Sequence, residues 1–305
     1  MYFYLPVALT SINILIPIGL GLAVGLLSGL FGVGGGFLMT PLLIMLGIPA
    51  TVAAATDSNQ IVAASTSGTY AHWKVGNVDF KMGFYLLIGG FTGGLFGVQT
   101  IKILRAMGNA DFVIKMTYVL MLGIVGTYMF IESLQSIRKK EAIKEEQKCE
   151  SKTAKLLKSL PFQTHFEKSG VTHSAILPII FGGIVGILAA IMGVGGGFLM
   201  VPVMIYLLRM PMHVVVGTSL FQILFTCIEV TFLQAYTNHT VDFILAVLLL
   251  VGSTVGAQIG AVFGRKLKGE QLKILLAVIV LAVTVKIIFE LTLTPSLLLS
   301  QAGGQ

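Results

Sequence analysis

The chain has 305 residues, of which 55% are hydrophobic and only 11% charged, with a formal net charge of +7. Soluble domains carry about 25% charged residues, so this balance excludes an ordinary soluble module and predicts an all-α, multi-pass membrane protein. The two cysteines, Cys149 and Cys227, make no disulfide framework, and neither they nor the five histidines have metal-ligand spacing.

Residues 1–13 are apolar but interrupted by Pro6, and read as an interfacial segment. They carry no basic n-region, so no cleaved signal peptide is expected. Residues 14–31 predict a first helix. It runs into Gly32-Val33-Gly34-Gly35-Gly36-Phe37-Leu38-Met39-Thr40-Pro41, where the glycine cluster should break it. A half-helix over 37–46 follows, ended by Gly47 and Pro49. Residues 51–72 predict a helix rich in polar side chains: Thr56, Asp57, Ser58, Asn59, Gln60, Ser65, Thr66 and Ser67. Residues 75–79 are a turn. Helices are expected over 80–101, with Gly89, Gly93 and Gly97 at the four-residue spacing that lets helices approach closely, and over 112–133.

Residues 134–174 hold nine Lys/Arg and five Asp/Glu. They read as a charged linker, cytoplasmic by the positive-inside rule rather than a nucleic-acid surface. The pattern then returns. Residues 193–202 repeat the glycine motif, with Val201 in place of Thr40 as the single change. Helices are expected over 175–192, 198–208, 213–236 and 271–291. Gly252, Gly256 and Gly260 match the first glycine row, and Val241-Asp242-Phe243 matches Val78-Asp79-Phe80. The domains are therefore a first membrane repeat (1–133), the linker, and a second repeat (175–305). Residues 14–47 would span about 50 Å as one helix, so the half-helix is expected to be re-entrant. Three net crossings per half would make the repeat inverted.

Broken helices at matching places in two halves point to a transporter site. The first-turn amides of a half-helix, with the positive end of its dipole, favour an anion. That assigns Gly34, Gly35, Gly36 and Phe37, with Gly195, Gly196, Gly197 and Phe198, to the substrate. The alternative is a kink that only serves packing. Thr56, Gln60 and Ser67 recur as Thr218, Gln222 and Glu229 at spacing i, i+4, i+11, on one helix face. With Asn59 and Ser219 they would shape the anion site, or hold the bundle together by interhelical hydrogen bonds. Asp57 and Glu229 are intramembrane acids, which are costly, and are assigned to coupling or charge selection. Lys286 and Glu290 read as an ion pair. The sequence shows no catalytic triad, no phosphate-binding loop and no cofactor motif, so no enzyme is expected.

The duplicated Gly-Val-Gly-Gly-Gly-Phe-Leu-Met-x-Pro motif, with Thr56 to Gln60 and Val216-Gly217-Thr218-Ser219-Leu220-Phe221-Gln222, resembles the TauE/SafE family of sulfite exporters and anion permeases. The likeness covers roughly 20–133 and 175–290. It implies secondary transport of a small sulfur-containing anion, sulfite or an organosulfonate, across the bacterial cytoplasmic membrane. Rocking of one half against the other would alternate access. The partners are the anion and the bilayer; a homodimer is left open. An anion channel and a membrane-embedded sensor are the competing readings.

Overall fold

The structure, a computed structural model, describes residues 2–31, 35–138, 163–264 and 269–293. The first half opens with an antiparallel hairpin, β1 (Tyr2–Leu5) and β2 (Thr10–Asn13). Then come α1 (Leu15–Phe31), the half-helix α2 (Gly36–Met45), α3 (Ala50–Lys74), α4 (Phe80–Ala106) and α5 (Ala110–Arg138). The second half repeats this order. A hairpin, β3 (Gln163–Phe166) with β4 (Val171–Ser174), leads to α6 (Ile176–Met192) and the half-helix α7 (Gly197–Pro202). A π turn (Val203–Leu207) extends α7. Next are α8 (Met212–Leu233) with a second π turn (Gln234–Asn238), α9 (Phe243–Gly264) and α10 (Gly269–Leu293).

Two expectations change. Residues 2–13, expected as an irregular apolar stretch, form a hairpin, with Leu5, Ala8 and Ile12 turning one side of it into the core. The segment expected to be all linker ends in the second hairpin, which pairs in matching register (Gln163 with Ser174, as Tyr2 with Asn13). Residues 139–162, Cys149 among them, lie outside the described residues, as do the loop 265–268 and the side chains of Glu132 and Glu290.

The halves interlock. α1 packs on α9, α4 on α6, α3 on α8 and α5 on α10, so each of these major helix pairs joins one half to the other. The glycine rows explain the closeness of the first two pairs. A Cβ at Gly89 would lie 2.0 Å from the Ile179 carbonyl, and one at Gly93 2.1 Å from that of Gly183. On the matching pair, Gly252 and Gly256 lie as close to Ile18 and Leu22 (2.2 Å each). Backbone meets backbone there, and any side chain would force the helices apart.

Matching polar locks fix the ends of these helices. The Asp79 carboxylate accepts from the Met82 amide at the start of α4 (3.0 Å), and its other oxygen accepts from the amide and hydroxyl of Ser169 in the second hairpin's turn. Asp242 accepts from the Leu245 amide (3.1 Å) and from the Val7 amide in the first hairpin's turn (3.1 Å). The Asp79 amide donates to the Thr218 hydroxyl (3.0 Å), and the Asp242 amide to that of Thr56 (3.1 Å). The recurrent Val-Asp-Phe motif is thus an N-cap that also ties its helix to the opposite half. By length and composition, α4, residues 110–128 of α5, residues 214–238 and residues 243–260 can each cross a membrane.

Candidate functional site

The two half-helices meet. Gly35 and Gly196 are the residues before α2 and α7, both in the left-handed region (φ 75° and 77°) that only glycine adopts freely. From there the chain turns so that Phe37 and Phe198, next to the two starts, stack with ring centroids 5.0 Å apart. Both rings are buried. Gly34 lies outside the described residues.

Around this junction the crossed pair α3 and α8 supplies the walls. Ile61 and Ile223, at equivalent positions in the halves, form a buried cluster with Cys227. A Cβ on Gly36 would meet Ile61 Cδ1 at 2.3 Å and Asp57 Oδ2 at 3.2 Å; one on Gly195 would meet Cys227 Sγ at 2.5 Å. Ser58 Oγ lies 3.3 Å from the Gly193 carbonyl and ties α3 to the second break. The junction is closed and mostly apolar in this conformation.

One acid lies inside it. Asp57 is completely buried. Its Oδ2 accepts from Thr40 Oγ1 of α2 at 2.8 Å, and its Oδ1 has no partner among the described residues. The Tyr118 hydroxyl of α5, which donates to the Met192 carbonyl just before the second break, lies in electrostatic range of this carboxyl, as does the Cys227 thiol.

The structure therefore gathers Gly35, Gly36, Phe37, Gly195, Gly196, Gly197, Phe198 and Asp57 at one place. It does not bring all the expected polar residues there. The hydroxyls of Thr56 and Thr218 are occupied by the backbone locks, which favours their packing reading. Ser219 Oγ donates to the Val216 carbonyl (3.0 Å) of its own helix. Gln222 points at α4, where its Nε2 would be 3.1 Å from a Cβ on Gly90. Gln60 is buried with both amide atoms unpartnered among the described residues. Asn59 is half-buried; Ser67 keeps the face it shares with Thr56 and Gln60, since α3 is continuous, but it is exposed toward the end of the helix. Glu229 is half-buried against Gly94. Lys286 is exposed on α10, and the other end of its expected ion pair lies outside the described residues.

Sequence reasoning missed Thr40, Tyr118, Ile61, Ile223 and Cys227. For Thr40 the signal was present. The two motif copies differ only at Thr40/Val201, and the polar helices differ at Asp57/Ser219. The hydrogen bond shows these two differences to be one: the first half carries the pair, and the second has neither member.

A separate cavity of about 390 Å³ lies at the α3–α4 turn beneath the second hairpin, lined by Trp73, Asp79, Phe80, Lys81, Glu167 and Lys168 among others. None of the broken-helix residues lines it.

Comparison with known proteins places the chain. A family model described as "Sulfite exporter TauE/SafE" matches residues 17–287. The chain is 26% identical to "Probable membrane transporter protein YunE" of Bacillus subtilis (strain 168), over 91% of this chain and 98% of that one. It is 27% identical to YjnA of the same organism, also called a probable membrane transporter protein, over 88% and 97%. A shorter stretch, 33% of this chain, is 29% identical to "Sulfite exporter TauE/SafE family protein 1" of Arabidopsis thaliana. No solved structure matches. The chain belongs to the TauE/SafE family. It is an integral membrane protein whose relatives are named as transporters, in keeping with the expectation that it is not an enzyme.

Proposed function

We propose that this TauE/SafE member is a secondary transporter of a small sulfur-containing anion, sulfite or an organosulfonate, across the cytoplasmic membrane, and that the anion binds between the first turns of α2 and α7. The observation that carries this reading is the meeting of the two helix breaks at Phe37 and Phe198. The first two amides of a helix have no partner within it, and here two such pairs converge, those of Gly36 and Phe37 with those of Gly197 and Phe198; the next amides, of Leu38 and Leu199, turn back to the Gly35 and Gly196 carbonyls. Non-helical backbone is tolerated at membrane depth only where protein buries it or a cavity needs it.

The matched contacts across the halves support a two-fold repeat. α2 has 10 residues, about 15 Å at 1.5 Å per residue, which is half a bilayer core and fits a re-entrant segment. With α1, α3, α4 and α5 this gives three net crossings and an inverted repeat. The basic segment 134–174 then faces the cytoplasm. Because α1 is locked to α9 and α4 to α6 by backbone contact, the moving bodies are these mixed pairs, each with its hairpin and half-helix, rather than the two halves of the sequence. They would rock about α3 and α8 and open the Phe37–Phe198 junction to either side in turn.

Asp57 gives the cycle a coupling step. An ionised carboxylate beside Gly36 repels the anion, whereas a protonated one donates a hydrogen bond to it. The anion and a proton therefore bind together. Asp57→Asn keeps the shape and can still accept from Thr40. It should bind and exchange the anion while losing the response of net uptake to an imposed pH gradient, measured as flux in proteoliposomes. An unchanged gradient response in Asp57→Asn would remove Asp57 from the coupling.

A further inference from the structure

A second polar cluster, away from the helix breaks, lies between α8 and α4. Three side chains of α8 form it: Gln222, Thr226 and Glu229. Gln222 Nε2 donates to Thr226 Oγ1 (3.0 Å), while Gln222 Oε1 and Glu229 Oε2 are buried with no partner among the described residues. α4 meets them with glycine. A Cβ on Gly90 would lie 2.9 Å from Thr226 Oγ1, and one on Gly94 2.9 Å from Glu229 Oε2. Gly90 and Gly94 are one turn apart, about 6 Å along the helix at 1.5 Å per residue. The oxygens of Thr226 and Glu229 therefore lie directly against the α4 backbone at two neighbouring levels, and two of the cluster's acceptor oxygens are unmet.

Buried polar atoms in folded proteins have partners, and in hydrocarbon an unmet one is more costly still. The chemistry of this set is narrow: an amide oxygen, a hydroxyl and a carboxylate, all hard oxygen donors, with one negative charge. No cation among the described residues satisfies it. α6 contains no charged residue, α4 carries Lys81, Lys102 and Arg105 only near its ends, and Asp57 of α3 is turned to Thr40. Arg105 is engaged with the Asn238 carbonyl. Glu229 makes no ion pair among the described residues. The cluster is also confined to one half, since the positions equivalent to Thr226 and Glu229 are Ala64 and Ser67.

We propose that Gln222, Thr226 and Glu229 form a binding site for one small hard monovalent cation, a sodium ion or hydronium, which meets the unpartnered oxygens of Gln222 and Glu229 on the glycine face of α4. Its use as a coupling site rests on the transporter reading above; its existence does not. Binding to the purified protein, without transport, therefore tests it separately from that reading.

The readout is the thermal unfolding of detergent-purified protein in a Cys149→Ser background, followed by a thiol-reactive dye that then reports Cys227, which is fully buried in the folded state. A ligand that binds only the folded state raises the melting temperature. Replacing choline chloride by sodium chloride at fixed pH tests sodium, and lowering the pH in choline chloride tests hydronium. One arm should give a rise of several degrees in the parent. Thr226→Val and Gly94→Ala should lose that rise, and Thr226→Ser should retain it. Glu229→Gln should lose it too; should that variant fail to fold, the other three decide. A rise in the sodium arm assigns the site to sodium. A rise in the acid arm alone that Thr226→Val and Gly94→Ala abolish assigns it to hydronium, whereas one that only Glu229→Gln abolishes is protonation of that carboxyl and overturns the site. No rise in either arm, or one that survives in Thr226→Val and Gly94→Ala, overturns the site.

Discussion

Gly35→Leu and Gly196→Leu should each reduce anion flux to the background of protein-free vesicles. Two penalties act together. A left-handed backbone costs a residue with a Cβ about 1–2 kcal/mol, and both positions sit at φ near 75°. The new side chain also has no room: the Cβ alone would lie 2.8 Å from Ser28 Cβ at Gly35, and 2.5 Å from Val185 Cγ1 at Gly196. The start of the half-helix must then move, and with it the amides that the anion needs. Gly108→Leu separates the two effects. Gly108 has φ 75° but nothing within 4 Å of its Cβ position, so that variant carries the backbone strain alone and should keep its flux. Parent-like flux in either break variant would reduce these glycines to packing residues.

Gly93→Ala should destabilise the fold by about 1–3 kcal/mol, the usual range for overpacking a tight core. One methyl group is enough, because it would sit 2.1 Å from the Gly183 carbonyl of α6 and the obstacle is rigid backbone. Gly256→Ala should behave alike, since its Cβ would lie 2.2 Å from the Leu22 carbonyl of α1. Gly19→Ala is the internal contrast. Nothing lies within 4 Å of that position on α1, and alanine is the better helix former by up to about 1 kcal/mol. The melting temperature should fall in the first two variants and stay level or rise in the third. A fall in all three would mean that the glycine rows do not set the distance between helices.

Much of this architecture was legible in the sequence, and the reasons are physical. Long apolar runs can only be spans, so the helices were placed to within a few residues. The glycine breaks were legible because glycine adopts the left-handed backbone of Gly35 and Gly196 without the cost that a Cβ brings. The spacing of Gly89, Gly93 and Gly97 announced a close helix contact. It could not say with which helix, because an α-helical face carries no record of its partner. The partner turned out to be α6 in the other half. The hairpins were missed for a related reason: four-residue strands among apolar residues have no period long enough to read. At the site, repetition misled as often as it guided. Thr56 and Thr218 recur because both halves need the same lock to Asp242 and Asp79. The two proposed sites lie instead where the repeat fails, at Thr40 with Asp57 and at Thr226 with Glu229.

If the paired helix breaks bind and carry a small sulfur-containing anion, counterflow in proteoliposomes should reveal it. Vesicles loaded with unlabelled sulfite, then with organosulfonates and carboxylates in parallel, are diluted into labelled sulfite. Label should accumulate transiently and saturably with sulfite or a sulfonate inside, and should not do so with carboxylates or in Gly196→Leu. No counterflow with any of these anions, or a flux that rises linearly with concentration as through an open pore, would rule out carriage of the anion at the breaks.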